Sequence, residues 1–246
     1  MTSVAAWRLK VFESLGSTSD LCRSLAVAGE PEGLAVLARR QERGRGRGGR
    51  EWLSAPGNLF ISVLLRPNSP LRDGGLWSLL AAVALADTVA PLLPDVSALT
   101  LKWPNDLLLN GQKLAGILLD SAADNSHKID WLVIGFGLNL AAAPEVPGRA
   151  IASLAKVATP PEEVAKALLA RLDHWRCLQL TEGFAPVRAA WLARAQPIGS
   201  PITLKRGGAD IDGAFAGLAE DGSLLLQTAG RISAFAAGEI VPQEGR

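Results

Sequence analysis

The dipeptide Asn110-Gly111 constrains this chain more than any other feature. It lies between the apolar run Leu107-Leu108-Leu109 and the stretch Lys113–Leu119. Asn-Gly suits a two-residue hairpin loop because both central residues of that turn need positive φ. The turn predicts two antiparallel strands, with Leu109 opposite Gln112, Leu108 opposite Lys113 and Asp106 opposite Ala115. Side chains alternate along a strand. Lys102, Asp106 and Lys113 therefore fall on one face of the sheet, provided that Pro104 adds no bulge. Leu101, Leu107, Leu109 and Leu118 mark that sheet as well buried, and charges in such a place need a partner or a purpose. Two ammonium groups and a carboxylate suit an acidic substrate and a phosphate. A solvated face with two lysines is the plainer alternative.

The surrounding pattern predicts alternating strands and helices. Trp7, Leu9 and Val11 alternate with Arg8 and Lys10, as in a strand. Ser17 or Thr18 can cap a helix through Leu21, Leu25 and Ala28. Leu34–Ala38, Leu59–Leu65, Leu99–Trp103 and Ile129–Leu140 are strand-like, and Pro161–Leu180 and Phe184–Arg194 are helical. The longest apolar stretch, Leu76–Leu93, is interrupted by Ser78, Asp87, Thr88 and Pro91. It is predicted as a buried core helix rather than a membrane span. After Pro197 the composition changes to short apolar runs divided by Gly207-Gly208, Asp212-Gly213, Asp221-Gly222 and Gly230. Such spacing predicts a small β-barrel, so the chain divides into residues 1–197 and 198–246.

Six of the residues from Arg39 to Arg50 are arginine and four are glycine. Glycine lets backbone approach a ligand closely, and guanidinium forks match phosphate and carboxylate oxygens. Trp52 follows, placed to stack on a purine. A mobile segment held between two strands suits an active-site lid; a disordered linker or a nucleic-acid patch is the alternative. The formal net charge is only +1, which calls for neither nucleic acid nor membrane. Cys22 and Cys177 form no CxxC pair and are expected to be buried thiols in a reducing compartment. His127 and His174 have no partner at ligand spacing, so a zinc site is not expected. The stretch Met1–Lys10 shows no signal peptide.

At these residues the sequence resembles the biotin–protein ligase family, along nearly its whole length. Gly16-Ser17-Thr18 resembles Gly-Ser-Thr-Asn, with Ser19 in the place of the usual Asn. Gln41 with Gly44–Trp52 resembles the Gly-Arg-Gly-Arg-X-Gly-Arg-X-Trp biotin loop. Asn58-Leu59 and Ser62 resemble the strand that follows it. Lys102–Asp106 and Lys113–Leu118 resemble Lys-Trp-Pro-Asn-Asp and Lys-Leu-Ala-Gly-Ile. Gly135–Asn139 resembles Gly-Ile-Gly-Ile-Asn, and Gly238-Glu239-Ile240 resembles the end of an SH3-like domain.

The resemblance implies an α+β fold: a mixed sheet with helices, related to class II aminoacyl-tRNA synthetases, plus a small C-terminal SH3-like β-barrel. It implies a ligase that makes biotinyl-adenylate from biotin and Mg-ATP, then transfers biotin to a lysine of a carboxylase's biotin carboxyl carrier domain. Lys113 and Arg47 are the implied catalytic pair. Ser17, Thr18 and Gln41 match positions that hydrogen-bond the ureido ring. Ser19, Arg45, Gly46, Arg47, Lys113 and Gly116 complete the implied biotin site. Arg47, Arg50, Trp52, Lys102, Asn105, Asp106 and Asn139 are assigned to the nucleotide. No side-chain pattern gives a metal site directly, although Asp106 is the residue that would approach Mg2+. A core strand beginning near Trp7 leaves no room for the helix-turn-helix domain of some members. The expectation is a cytoplasmic monomer or homodimer that binds no specific DNA and no membrane. A lipoate–protein ligase is the nearest enzyme alternative, and an RNA-binding module the alternative of a different class.

Overall fold

The computed structural model describes residues 6–155 and 159–242. Met1–Ala5, part of the stretch expected to carry no leader, and the last four residues of the second unit lie outside it. A seven-stranded mixed sheet carries the first unit, in the order β1-β2-β3-β7-β6-β5-β4. Its strands are β1 (Arg8–Phe12), β2 (Leu34–Ala38), β3 (Leu59–Leu65), β4 (Leu99–Lys102), β5 (Asp106–Leu109), β6 (Gln112–Ala123) and β7 (Ile129–Leu138). β1 and β2 run parallel, joined by the crossover helix α1 (Thr18–Val27); the other neighbours are antiparallel.

Alternation along the strands divides the core in two. Ala35, Leu37, Ile61, Val63, Leu107 and Ile117 face a large cluster beneath α2 (Gly74–Val89) and α3 (Pro161–Glu182). Leu34, Val36, Leu64 and Val133 face the smaller cluster under α1, with Cys22 and Ala26. The helices α2 and α3 pack against the first face, while α1 packs mainly against β2, β3 and β7. No helix covers β6, β5 and β4 on the α1 side among the described residues. That uncovered half is where the polar side chains of those strands point.

By length and composition, the stretch Leu71–Leu92 could cross a membrane, yet 72% of its apolar window is buried in this protein. It is the central core helix, buried on nearly all sides, as expected of a helix apolar all round. It ends at Val89, and a 3-10 turn over Ala90–Leu92 carries Pro91. Cys22 is buried, and burial pushes its thiol up to about 12. Cys177 was expected to be buried too, but it is exposed on α3.

The second unit follows α4 (Ala185–Leu192). It is a five-stranded antiparallel sheet in the order β11-β10-β9-β8-β12, built from β8 (Pro201–Arg206), β9 (Ala209–Leu218), β10 (Leu224–Thr228), β11 (Arg231–Phe235) and β12 (Glu239–Pro242). This antiparallel sheet is the unit expected as a small β-barrel; β11 and β12 form its two edges and do not pair among the described residues. Only three residues join them, and a link that short spans at most about 14 Å. The sheet must therefore curl to bring its edges together without closing the ladder.

Candidate active site

The hairpin at Asn110-Gly111 forms as the dipeptide demands, with φ of 50° and 76°. Its register is as expected at Leu109↔Gln112 and Leu108↔Lys113, but Asp106 pairs with Gly116 instead of Ala115. The register slips between Leu107 and Leu108, so Leu114 is an extra residue, a β-bulge. The bulge lets Leu114 and Ala115 both reach the buried face while Lys113 and Gly116 stay on the other. Lys102 pairs directly with Asp106 across the turn containing the cis Trp103–Pro104 bond.

One carboxylate thus stands between two ammonium groups. Lys113 Nζ lies 2.6 Å from Asp106 Oδ1, and Lys102 Nζ lies 3.4 Å from Oδ2. The Lys113 contact is an ion pair without hydrogen-bond alignment. Asp106 is 7% exposed, and both lysines offset the cost of burying its carboxylate. Together the three groups carry one surplus positive charge.

The arginine–glycine segment roofs this face. It is pinned at Arg45, Arg47 and Arg50. Arg45 bridges to Glu51 through backbone and donates from Nη1 to Asp20 and Asp120, both at 2.9 Å. Arg47 donates to Asn105 Oδ1 at 3.1 Å and to the Gly238 carbonyl at 3.2 Å. Arg50 grips both carboxylate oxygens of Glu239, at 3.3 and 2.9 Å. Burial pulls the Arg47 pKa below the usual arginine range, opposed by Asp106 and Glu239 and assisted by Arg50. Burial also works against the Glu239 charge, but the Arg50 hydrogen bond, with the charges of Arg50, Lys102 and Arg149, holds that carboxyl below its ordinary range.

The Trp52 ring lies on the sheet itself. A Cβ on Gly137 would sit 2.4 Å from that ring and one on Gly116 2.9 Å from it. These two glycines are cross-strand partners, so only their missing side chains let the indole lie flat there. Lys113 Nζ is 5.5 Å from the ring centroid, within cation–π range.

The resulting cleft encloses about 1050 Å3, counted to its open mouth. Thr18, Ser19 and Gln41 line the end beside β7. Lys102 on β4 lies three strand spacings away, about 14 Å, with Arg149 and Glu239 lining the same cleft. Arg45, Gly46, Arg47, Arg50, Trp52, Asn105, Asp106, Lys113, Gly116 and Asn139 line it as well. Ser17 is the exception among the sequence-predicted residues: it does not line the cleft, and its Oγ caps α1 by accepting from the Asp20 N–H at 3.4 Å.

Two other predicted residues hold neighbouring segments. Asn139 accepts from Asn58 Nδ2 at 3.2 Å and donates to the Ala152 carbonyl at 3.1 Å. Asn105 donates to the Ile117 carbonyl. Sequence reasoning missed Arg149 and Glu239 as lining residues, and missed the anchors Asp20 and Asp120. Their roles depend on contacts across the fold, which no local pattern announces. The described residues contain no group of three metal-binding side chains. Asp106, already between two lysines, does not make a Mg2+ cage; such an ion would have to bring its ligands on nucleotide phosphates.

A sheet face with hydroxyls at one end, cations at the other and a pinned arginine roof is a cleft for two anions. The model of the Biotin/lipoate A/B protein ligase family matches residues 11–139, and that of the biotin protein ligase C-terminal domain matches residues 198–241. The chain is 39% identical over 200 residues to the biotin–[acetyl-CoA-carboxylase] ligase of Paracoccus denitrificans, covering 78% of this chain and 83% of that protein. It is 35% identical over 246 residues to the Mycobacterium tuberculosis ligase of the same name, covering 96% and 90%. The biotin protein ligase of Aquifex aeolicus, solved with biotin and ATP, superposes with a TM-score of 0.78 at 25% identity, covering 97% of this chain and 99% of that one. Within the broader family, this chain belongs to the biotin protein ligases.

Proposed function

We propose that the cleft joins biotin to ATP and then transfers biotin to a lysine of a carboxylase's carrier domain. In the first step a biotin carboxylate oxygen attacks the α-phosphorus. The C–O–P anhydride forms, the bond to the β-phosphate oxygen breaks, and pyrophosphate leaves. In the second, the carrier lysine's uncharged amine attacks the acyl carbon; the amide forms and AMP leaves with the bonding electron pair.

The observation that carries this reading is the position of Lys113, between the hydroxyl-lined end and the cationic end, 2.6 Å from Asp106. An ammonium there can touch both a carboxylate and an α-phosphate, offsetting their repulsion. Arg47 supplies a second cation from the roof. Charge grows on the phosphate oxygens as the new bond forms, so preorganised cations favour the transition state over the bound substrates. A pinned roof also excludes water from the anhydride. Thr18, Ser19 and Gln41 would take the biotin head, with Arg45, Gly46 and Gly116 beside its chain. Arg50, Trp52, Lys102, Asn105, Asp106 and Asn139 would take the nucleotide, with Mg2+ arriving on its phosphates. Ser17 would act through the helix cap.

Catalysis falls to residues 1–197 and closure of the site to residues 198–246. Two free cysteines support a reducing, cytoplasmic setting. A net charge of +1 supports the absence of specific DNA binding, in a monomer or homodimer. The test is transfer of labelled biotin, with Mg-ATP, to a purified carrier domain, run beside labelled lipoate. Label from biotin alone is expected. Label from lipoate alone, or none from either, would overturn the reading.

A further inference from the structure

Ser62 is fully buried on β3, under the first turn of α1, and does not itself line the cleft. Its hydroxyl touches two others: Thr18 Oγ1 at 2.8 Å and Ser19 Oγ at 3.0 Å. Thr18 in turn meets the Gln41 amide. We propose that Ser62 is a positioning residue that fixes the direction of this hydrogen-bond chain, and so sets which polar atoms the cleft offers to a ligand.

The direction follows from proton counting. The Thr18 backbone N–H lies 2.9 Å from a Gln41 amide atom. A backbone N–H can only donate, so that atom is the oxygen, Oε1. The Thr18 hydroxyl lies 3.1 Å from the same oxygen, and must donate to it, because two lone pairs would otherwise face each other. With its one proton so used, Thr18 Oγ1 accepts from Ser62. The Ser62 proton is then used as well, and Ser62 Oγ accepts from Ser19. The order is Ser19 to Ser62 to Thr18 to Gln41, each hydroxyl donating to the next.

This leaves a defined pattern at the inner end of the cleft. Ser19 Oγ faces a ligand with lone pairs only, and Thr18 Oγ1 keeps one more. Gln41 Nε2 keeps its N–H groups. The complementary ligand carries N–H donors beside a carbonyl acceptor, as a cyclic urea does; a dithiolane ring offers neither. Gly135 makes room for the arrangement, since a Cβ there would lie 2.5 Å from Ser19 Oγ. The inference rests on the proposal that biotin binds in this cleft, and adds a residue that acts on it through Ser19.

The test is a double-mutant cycle on the full chain, read by calorimetry of biotin binding. Ser19→Ala and Ser62→Ala are each expected to weaken biotin about tenfold, the scale of one lost hydrogen bond. The double variant should be no weaker than Ser19→Ala, because Ser62 acts through Ser19. The KM for ATP should not follow. A biotin analogue methylated on its ureido nitrogens should bind far worse than biotin to the unsubstituted protein. That gap should shrink in Ser62→Ala, where the Ser19 hydroxyl is free to turn. If Ser62→Ala does not fold, Ser62→Cys keeps a side chain of the same connectivity with a weaker donor and acceptor, and should show the same narrowing. Losses that multiply, or normal biotin binding in a Ser62→Ala protein that merely melts lower, would overturn this inference alone. Failure of the unsubstituted protein to bind biotin would remove it together with the reading it rests on.

Discussion

Lys113 holds Asp106 at 2.6 Å while the same Nζ lies over the Trp52 ring, 5.5 Å from the centroid. Those neighbours fix one ammonium group over the middle of the cleft. Lys113→Ala should therefore lower adenylate formation by roughly 10²–10³-fold, the range seen when one preorganised stabilising group is removed. Biotin binding should fall less, because the benefit is larger in the transition state. Lys113→Arg should not restore the rate, since a planar fork cannot replace a compact ammonium between two anions. Single-turnover measurement of adenylate checks this. A folded Lys113→Ala protein with near-normal adenylation would transfer the role to Lys102 or Arg47. This triad was legible in the sequence because hairpin chemistry and strand alternation are local. The bulge at Leu114 was not legible: whether a strand gains an extra residue is decided by the packing of Leu114 and Ala115 into the core beneath.

At the scale of elements, two of the contacts that hold the arginine roof can be broken singly: a ring on two glycines and an ion pair to β12. Gly137→Ala would place a methyl group inside the Trp52 ring's space, 2.4 Å from its nearest atom. Adenylate formation should fall at least tenfold as the ring is displaced. Trp52→Ala should fall too, but Gly137→Ala added to it should cost little more, because the clash has gone. Rates for the four proteins test this, and additive losses would count against the contact. The second contact joins Arg50 to Glu239. Glu239→Gln should speed amide hydrogen exchange over Arg43–Gly49 without ligand, and biotinyl-adenylate should restore protection. The Glu239 carboxyl is held below its ordinary range, so its stabilisation is present above about pH 4.3 and is lost as pH falls through the lower, folded-state value. Protection of that segment, corrected for the intrinsic pH dependence of amide exchange, should fall on acidification in the unsubstituted protein and change less in Glu239→Gln. The segment's glycine and arginine content indicated a lid from sequence alone. Its anchors were hidden, since Asp120 and Glu239 lie 75 and 189 residues from the arginines they hold.

Across the whole molecule, the two sheets share one core. Ile202, Leu204, Phe215, Leu224 and Ile240 belong to the same buried cluster as α2 and β3. Trp103 donates to the Gly222 carbonyl at 3.1 Å, and Arg188 to the Leu218 carbonyl at 2.9 Å. The composition change near residue 197 marks where one kind of secondary structure gives way to another, and does not mark where packing stops. A fragment of residues 1–197 should therefore melt about 10 °C or more below the full chain, several kcal/mol at the scale of 2–4 °C per kcal/mol for chains of this size. Calorimetry checks it, and an unchanged melting temperature would mean the units are independent. The contact between Arg50 and Glu239 also bears on how the protein comes into being. Chains are made from the N-terminus at about 5–20 residues per second, so the arginine segment waits roughly ten seconds or more for its partner strand. Once β7 has been made, a ribosome-bound chain can hold the first sheet and the arginine segment, yet no latched roof. A ribosome stalled after β7 has emerged and before Glu239 would thus display the first sheet with its cleft left open to water.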